Sequence, residues 1–244
     1  MFLAIDTDIL LYKSAMSAET EIEWSPDIWT LFMDMNEAKA NFTKQVDDIK
    51  SALGVDDVVC CLTDSSSNFR KSIDPGYKAG RKGTRKPVGY KALLQWIRDT
   101  QTVVEKPTLE ADDCLGIIAT KPENIGNCII ASDDKDLMTI PGELYRPTKQ
   151  ERMNISEADA DGYFYMQALT GDSVDSIRGL PGVGPKKAEA ILGSRPAWSS
   201  VEQAYIKAGL TRDEAIKQAR LVRILRWEDW SEEKQEVIPW TPKQ

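Results

Sequence analysis

The sequence contains no histidine and only four cysteines among its 244 residues. Without histidine, the protein cannot use imidazole as a general acid or base, assemble a Ser-His-Asp triad or build the usual zinc sites. The cysteines show no C-x-x-C spacing, and two of them are neighbours in a strand-like run; they are Cys60, Cys61, Cys114 and Cys128. This pattern favours reduced thiols in a hydrophobic core, which predicts a cytoplasmic protein.

Long apolar runs and targeting signals are also missing. No stretch approaches the ~20 apolar residues that a membrane-spanning helix needs, so we expect no membrane partner. The opening MFLAIDTDILLYKSAMS has aspartates inside its apolar run and no basic start, which is not the pattern of a signal peptide. With 41% hydrophobic and 29% charged residues, the composition predicts a globular protein, either one large domain or a domain with a smaller appendage.

Charge is distributed unevenly along the chain. The sequence has 31 basic and 39 acidic residues, a net charge of −8 that taken whole argues against nucleic-acid binding. Between residues 70 and 91, however, a single acid, Asp74, accompanies eight basic residues: Arg70, Lys71, Lys78, Arg81, Lys82, Arg85, Lys86 and Lys91. This basic segment predicts contacts with nucleic-acid phosphates; a solvated loop without a ligand is the alternative.

The apolar runs predict alternating strands and helices. Short runs of buried type favour strands at FLAID (2–6), DVVCCLTD (57–64), TVV (102–104) and NCIIAS (127–132). Apolar residues at helical spacing predict helices up to Met16, over 27–53, near 90–99 and after Leu109. This alternation is typical of an α/β fold with a parallel sheet and helices on both faces, in which ligands bind at the carboxyl ends of the strands.

Acidic residues collect at that same edge of the predicted sheet. The stretch LEADDCLGIIA (109–119) places three carboxylates at the head of a buried helix, where like charges about 4 Å apart repel by up to ~4 kcal/mol. A helix N-terminus compensates only roughly 0.3–1 kcal/mol for each anion, so a cation is expected between them. The other carboxylates at strand ends are Asp6, Asp8, Asp64, Asp134 and Asp136.

Carboxylates on one rim predict a divalent metal site. Mg²⁺ and Mn²⁺ prefer oxygen ligands, and two such ions roughly 3.5–4 Å apart can hold both oxygens of a phosphodiester displacement. For each aspartate taken alone, a turn residue or helix cap is the simpler interpretation. Since Glu110 and Asp112 lie ~200° apart on a strict helix, both reach one metal pair only if the helix begins near Ala111.

A glycine-rich turn follows in TGDSVDSIRGLPGVGPKKAEAIL (170–192). The glycines that interrupt its pair of helices are Gly179, Gly182 and Gly184. Pro185 suits the first position of the second helix, whose N–H groups can bind a phosphate beside Lys186 and Lys187. We therefore predict contact with the DNA backbone, with a tight structural turn as the alternative. Asp172 and Asp175, just before the turn, can add two carboxylates to the metal rim.

Taken in order, these motifs resemble the 5′-nuclease superfamily of flap endonucleases and 5′→3′ exonucleases. The matching elements are Asp6, TDSSSNFRKSIDPGYKAGRK, LEADD, ASDDKDL, GDSVD and GLPGVGPKKA. The stretches DPGYKAGRKGTRKPVGY, AMSAETEIEW and RILRWEDWSEEKQEVIPW resemble more narrowly the 5′→3′ exonucleases of short-tailed lytic phages. The resemblance covers nearly the whole chain.

The resemblance implies a fold and a division into domains. A PIN-like catalytic domain, with a parallel sheet covered by helices on both faces, is expected at residues 1–153, with a basic arch at about 65–92. A helix-three-turn-helix DNA-binding region with a C-terminal helix and tail is expected at residues 154–244. Modules of this kind can also hold a K⁺.

The resemblance also implies roles for individual residues. Two Mg²⁺ or Mn²⁺ ions are expected on nine carboxylates: Asp6, Asp64, Glu110, Asp112, Asp113, Asp134, Asp136, Asp172 and Asp175. Lys78 and Arg81 match the catalytic lysine and arginine of the family's arch, and Tyr77 beside them is expected to stack on a base. DNA contacts are expected from Arg70, Tyr77, Lys82, Arg85, Lys86, Gly182, Gly184, Lys186 and Lys187.

Two positions depart from the family pattern. Asp8 is one carboxylate more than the pattern has. Asp133 stands where related nucleases often carry glycine, so the ligand pair after NCIIAS can slip by one residue. We prefer Asp134 and Asp136 because DKDL is the phrase found in the family.

The expected activity is metal-dependent hydrolysis of phosphodiesters near the 5′ ends of duplex DNA, at ends, nicks or flaps. Lys78 and Arg81 are expected to neutralise charge on the phosphate. We expect a monomer in the cytoplasm of a phage-infected cell, acting in DNA replication, primer removal or recombination, with RNA–DNA hybrids as further substrates. A PIN-like ribonuclease and a catalytically inactive DNA-binding relative stay open as alternatives.

Overall fold

A six-stranded sheet forms the centre of the protein in the computed structural model, which describes residues 1–81 and 85–243. The strands in chain order are β1 (Phe2–Asp6), β2 (Glu19–Ser25), β3 (Ile28–Met33), β4 (Val58–Leu62), β5 (Val103–Glu105), β6 (Cys128–Ala131), β7 (Gly142–Arg146), β8 (Glu151–Ile155), β9 (Trp230–Ser231) and β10 (Glu236–Val237). The helices are α1 (Thr7–Ser17), α2 (Met35–Leu53), α3 (Arg70–Ile73), α4 (Tyr90–Thr100), α5 (Ala111–Thr120), α6 (Glu157–Thr170), α7 (Pro185–Leu192), α8 (Trp198–Lys207) and α9 (Arg212–Val222).

The predicted parallel sheet is confirmed in five of its strands. Their order is β5-β4-β1-β6-β7, and β8 adds an antiparallel edge strand next to β7. Strand β1 lies inside the sheet because Leu3, Ala4 and Ile5 are uninterrupted apolar residues that can be covered on both faces. The carboxyl ends of β1, β4 and β6 therefore meet at one edge.

Helices cover both faces of the sheet, as predicted. On one face, α1, α2 and α4 pack over the strands through a core that includes Leu11, Phe42 and Ile97. On the other face, α5 packs with the C-terminal segment through a core that includes Leu115 and Trp230. The predicted boundary between residues 153 and 154 falls inside β8, and residues beyond it complete this second core.

The prediction of one helix over residues 27–53 is wrong at its start. Strand β3 pairs antiparallel with β2, and α2 begins only after Asp34, whose carboxylate caps the helix by accepting two backbone N–H groups. The strand IWTLFM is rich in aromatic and β-branched residues, which favour a hairpin over a helix. Trp29 and Phe32, which the helical pattern assigned to the core, are each 54% exposed.

Helices α6 and α7 form the helix pair that the glycine-rich turn predicts. The loop between them closes tightly at its base, where Gly171 and Gly179 both have positive φ. A Cβ at Gly171 would lie 2.4 Å from the carbonyl oxygen of Ile177, and a Cβ at Gly179 would lie 2.4 Å from the nitrogen of Gly171. Glycine is required at both positions, because any side chain would collide with backbone.

The four cysteines are buried free thiols, which confirms the prediction from their spacing. The neighbours Cys60 and Cys61 of β4 point into the two opposite cores. Within the described residues, no helix combines the length and apolar character needed to cross a bilayer.

Candidate active site

An acidic pocket of about 510 Å³ opens at the carboxyl edge of the sheet. Asp6 ends β1, the turn after β6 forms a second wall, and the loop after α6 forms a third. Eight carboxylate residues line it: Asp6, Asp8, Glu110, Asp112, Asp134, Asp136, Asp172 and Asp175. Seven of the nine predicted metal ligands therefore converge here, and Asp8 joins them.

Helix α5 begins where the predicted metal geometry requires. Its first residue is Ala111, and Glu110 is the N-cap with extended backbone (φ −87°, ψ 162°). This extended residue lets the Glu110 side chain reach the same pocket as Asp112, which a continuous helix would not allow. Asp113 points elsewhere: it is fully buried and accepts the backbone N–H of Glu110 at 3.1 Å.

Arg70 and Asp113 form a buried ion pair. The two terminal nitrogens of Arg70 each donate to one carboxylate oxygen of Asp113 at 2.7 Å. The same guanidinium donates to the backbone carbonyls of Leu221 and Arg223. The predicted DNA contact of Arg70 is therefore wrong, because this side chain is only 4% exposed and committed to protein partners. Asp113 lies outside the acidic pocket because both of its carboxylate oxygens are bound to Arg70 in the interior.

Asp64 also lies apart from the acidic pocket. Its carboxylate accepts hydrogen bonds from the hydroxyl and backbone N–H of Ser66, the hydroxyl of Ser67 and the N–H of Thr108. These bonds, the Ser66 hydroxyl foremost, lower the pKa of Asp64 to about 2. Asp64 lines a neighbouring cavity of about 270 Å³, which it shares with Lys78.

Burial and crowding oppose ionisation of several pocket carboxylates. Burial, helped by the charge of Asp8, raises the pKa of Asp6 to about 7. Burial and the charge of Asp6 raise the pKa of Asp112 well above its usual range. Burial and the charge of Asp134 raise the pKa of Asp136 to about 6. A cation between these groups would favour their ionised forms, so their chemistry fits a divalent ion.

The donor set suits a hard cation, although its side chains are spread. Among the described residues, no three acidic or cysteine side chains stand close enough to surround one ion as they are. Like charges repel, so ligands in such a cluster must turn inward around a cation. The donors are all carboxylate oxygens, which Mg²⁺ and Mn²⁺ prefer.

Asp134 and Asp136 face the pocket, whereas Asp133 faces away. The Asp133 carboxylate accepts hydrogen bonds from the backbone N–H of Thr148 at 2.9 Å and from the hydroxyl of Thr148 at 2.6 Å. Asp134 caps the 3₁₀ turn Lys135–Thr139 by accepting the N–H of Asp136 at 2.8 Å. The structure thus favours the ligand pair at 134 and 136 over one slipped by a residue.

Gln167 and Lys135 are polar pocket residues that were not predicted from the sequence. Gln167, near the end of α6, lines the pocket and donates through Nε2 to Asp136 at 2.7 Å. No motif marks it, since it lies in an ordinary helical stretch before the glycine-rich turn. Lys135 also lines the pocket, and its position between two predicted ligands is a signal that could have identified it.

Lys78 reaches the pocket, whereas Tyr77 is packed inside. The Lys78 ammonium contacts the Glu110 carboxylate and lies 3.6 Å from Oδ2 of Asp175. Tyr77 is 4% exposed, packs against Leu221, and donates its hydroxyl to Glu110 at 2.7 Å. The prediction that Tyr77 stacks on a base or contacts DNA is therefore wrong, because its ring belongs to an apolar cluster.

The other predicted arch residues have separate surroundings. Arg81 ends the 3₁₀ turn Ala79–Arg81, and its side chain, like the whole of Lys82, lies outside the described residues. Arg85 donates from both terminal nitrogens to Glu19 of β2, which ties the arch to the β2–β3 hairpin. The Lys86 ammonium lies 4.3 Å from the centre of the Tyr90 ring. Their DNA contacts stay predictions.

The glycine-rich turn presents an open surface at the head of α7. Gly182 has φ +74°, and Gly184 is the extended N-cap of the helix. A Cβ at either glycine would meet nothing within 4 Å, so a phosphate has room to approach the backbone. Lys186 and Lys187 are exposed beside it, and the Lys187 ammonium donates to the Gly182 carbonyl at 2.8 Å.

Two family models match the chain. The model described as 5′-3′ exonuclease, N-terminal resolvase-like domain, matches residues 2–161, which include the central sheet and the acidic residues at its edge. The helix-hairpin-helix motif matches residues 168–194, which include the glycine-rich turn and α7.

Individual proteins match over half of the chain or more. The chain is 30% identical to the exodeoxyribonuclease of Enterobacteria phage T3, over 99% of this chain and 93% of that protein. It is 33% identical to flap endonuclease Xni of Shewanella oneidensis, over 51% of this chain and 52% of that protein.

A solved structure shares the fold. The phage T5 protein co-crystallised with metal ions superposes with a TM-score of 0.67 at 15% identity, covering 91% of this chain and 89% of that one. The same T5 protein, a flap endonuclease solved as a complex with DNA and metal ions, gives a TM-score of 0.63 at 16% identity over the same shares.

Proposed function

The chain belongs to the 5′-3′ exonuclease family, and from this premise we propose that it hydrolyses phosphodiesters near the 5′ ends of duplex DNA. It is a nuclease of the 5′→3′ exonuclease and flap endonuclease type. The observation that carries the proposal is the acidic pocket, where eight carboxylate residues meet at the sheet edge with Lys78 beside them. Free ends, nicks and 5′ flaps are the proposed substrates, together with the RNA–DNA hybrids of primer removal.

Metal dependence is typical of the family, and we propose two Mg²⁺ or Mn²⁺ ions as the metals. The residues available to hold them are Asp6, Asp8, Glu110, Asp112, Asp134, Asp136, Asp172 and Asp175. The raised pKa values of Asp6 and Asp136 support this, because a cation would offset the repulsion that raises them. When bound, such ions lower the pKa of water and neutralise charge on the phosphate.

Lys78 and Arg81 are proposed to bind the reacting phosphate. The Lys78 ammonium contacts the carboxylate of Glu110 and lies near that of Asp175 at the pocket edge, which places its positive charge beside the proposed metal ligands. A fixed positive charge there stabilises negative charge that develops on phosphate oxygens during the displacement. Arg81 follows three residues later along the arch and is assigned the same role from the family pattern.

The α6–α7 turn is proposed to bind the phosphate backbone of the duplex next to the cleavage site. Open N–H groups near Gly182 and Gly184 and two exposed lysines suit phosphates of any sequence. We also propose a K⁺ site at this turn, on the resemblance to helix-three-turn-helix modules that hold one. The proposed setting is a monomer in the cytoplasm of a phage-infected cell, in DNA replication, primer removal or recombination.

Cleavage of 5′-labelled duplex DNA carrying a nick or flap tests the proposed function. We expect short labelled products with Mg²⁺ or Mn²⁺ and intact DNA with EDTA. Duplex binding without cleavage in either metal would instead favour a catalytically inactive DNA-binding relative. Preferential cleavage of single-stranded RNA would favour a PIN-like ribonuclease.

Replacing Lys78 by alanine should lower single-turnover cleavage by about 10²–10³-fold while duplex affinity changes only a few-fold. The reason is that Lys78 acts on charge that is present mainly in the transition state. Single-turnover cleavage rates measured with Mg²⁺ and dissociation constants of the duplex measured in EDTA separate the two effects. Equal losses in rate and affinity would reduce Lys78 to an ordinary phosphate contact.

Replacing both Lys186 and Lys187 by alanine should weaken duplex binding similarly for unrelated DNA sequences, because backbone contacts carry no base information. The slope of log K against log salt should fall by ~0.9 for each phosphate that the lysines no longer neutralise. Cleavage at saturating DNA should change far less, since the acidic pocket is untouched. An unchanged salt slope would mean that the turn only joins the two helices and does not contact DNA phosphates.

A further inference from the structure

Gln167 connects the helix pair to the acidic pocket. It lies in the last turn of α6, directly before the loop that carries Asp172 and Asp175. Its Nε2 donates to Oδ1 of Asp136 at 2.7 Å, so α6 holds one of the proposed ligands from outside the sheet. Its side chain lines the pocket together with those carboxylates.

The other half of the Gln167 amide has no partner among the described residues. Its Oε1 is buried and accepts no hydrogen bond. The reverse orientation of the amide is unfavourable, because the carbonyl oxygen would then face the Asp136 carboxylate. A buried acceptor left unpaired destabilises a folded protein, so a hydrogen-bond donor bound in the pocket would remove this cost.

We propose that Gln167 is a positioning residue of the metal site. Its N–H orients the carboxylate of Asp136, and its carbonyl oxygen would accept a hydrogen bond from a water of the hydrated ion once the pocket side chains turn toward a bound cation. Mg²⁺ keeps several waters when protein binds it, and those waters need acceptors. A neutral amide supplies one without adding negative charge to a pocket that is already lined by eight carboxylate residues.

This inference rests on the proposed function, since it needs a metal ion near Asp136. Outer-shell partners that orient a ligand and its water typically change metal affinity by about 10–100-fold. The expected signature is therefore a loss of metal affinity without a loss of fold.

Gln167→Met tests the inference, because methionine keeps the length and volume of the side chain and removes both hydrogen-bonding groups. We expect Mn²⁺ binding to the DNA-free protein, measured by calorimetric titration, to weaken by about 10–100-fold. The Mn²⁺ concentration for half-maximal cleavage should rise by the same factor, while kcat at saturating Mn²⁺ stays within a few-fold. The Tm of the EDTA-treated protein should not fall.

Gln218→Met is the matched control. Gln218 is a buried glutamine whose Oε1 accepts the N–H of Gly179 at 3.1 Å and whose Nε2 donates to Glu214 at 2.8 Å. Both halves of its amide are bound to protein groups, so its role is structural. We expect this control to lower the Tm, and to lose Mn²⁺ affinity only in proportion to that loss, because Gly179 closes the base of the loop that carries Asp172 and Asp175.

The inference is overturned if Gln167→Met binds Mn²⁺ as tightly as the wild type. It is also overturned if affinity falls only alongside a loss of Tm as large as that of Gln218→Met. Wild-type protein that binds no Mn²⁺ would contradict the proposed metal site itself, so the two failures are distinguishable.

Discussion

Replacing Asp134 by asparagine should lower cleavage of 5′-labelled duplex DNA by more than about 10²-fold, because losing a metal ligand costs more than losing an outer-shell partner. Asparagine can still accept the N–H of Asp136, so the cap on the following 3₁₀ turn is kept. The change also removes a charge that raises the pKa of Asp6, Asp112 and Asp136. We therefore expect the Tm of the metal-free protein to rise while its cleavage is lost.

Asp133→Asn is the control for this experiment. Its carboxylate is bound to Thr148 away from the pocket, so cleavage should stay near the wild-type rate. Duplex binding in EDTA should be retained by both variants. Near-wild-type cleavage by Asp134→Asn would show that the ligand assignment after β6 is wrong, and loss of cleavage in Asp133→Asn instead would move it by one residue.

Replacing Arg70 by methionine should destabilise the protein by about 3–5 kcal/mol, since the carboxylate of Asp113 is then buried without its partner. Two 2.7 Å hydrogen bonds to that carboxylate and two to backbone carbonyls are removed together. Urea denaturation measures the effect as a lower midpoint with an unchanged slope.

A double variant separates charge from packing. Arg70→Met combined with Asp113→Leu removes both buried charges, and we expect it to be more stable than Arg70→Met but less stable than the wild type, because the backbone N–H groups of Glu110 and Leu225 lose their acceptor. The opposite pattern, unchanged stability of Arg70→Met with weaker duplex binding, would mean that Arg70 contacts DNA and not the protein interior.

The acidic rim could be predicted because strand ends are visible in the sequence. Asp6, Asp134 and Asp136 follow short apolar runs, and parallel strands bring their carboxyl ends to one edge. The start of α5 could also be predicted from the sequence, because Glu110 and Asp112 can share a site only if the helix begins at Ala111. These conclusions depend on local pattern and on one general rule of sheet topology.

The errors concern side chains whose partners are far away in sequence. A basic run gives no sign that Arg70 turns inward, because its partners Asp113, Leu221 and Arg223 come from distant segments. Tyr77 is misassigned for the same reason, since its packing partner Leu221 lies in α9. Local sequence shows which side chains carry charge or a ring, but tertiary packing decides which way they point.

The β2–β3 hairpin was missed for a different reason. Its apolar residues fall at intervals that fit a helix as well as a strand. Most of them are exposed in the hairpin, so the sequence has no buried face whose period would identify a strand. Periodicity separates the two structures only when one face is buried along its length.

The close backbone approach of Gly171 and Gly179 has a consequence for the length of the products. It pins the base of the loop that carries Asp172 and Asp175, and the turn at the head of α7 starts just beyond the same point. Under the proposed roles, the surface that binds a strand and the pocket that cleaves it are both anchored at this one loop base. We therefore expect the number of nucleotides between the bound phosphates and the cleaved bond to be the same from one DNA sequence to another.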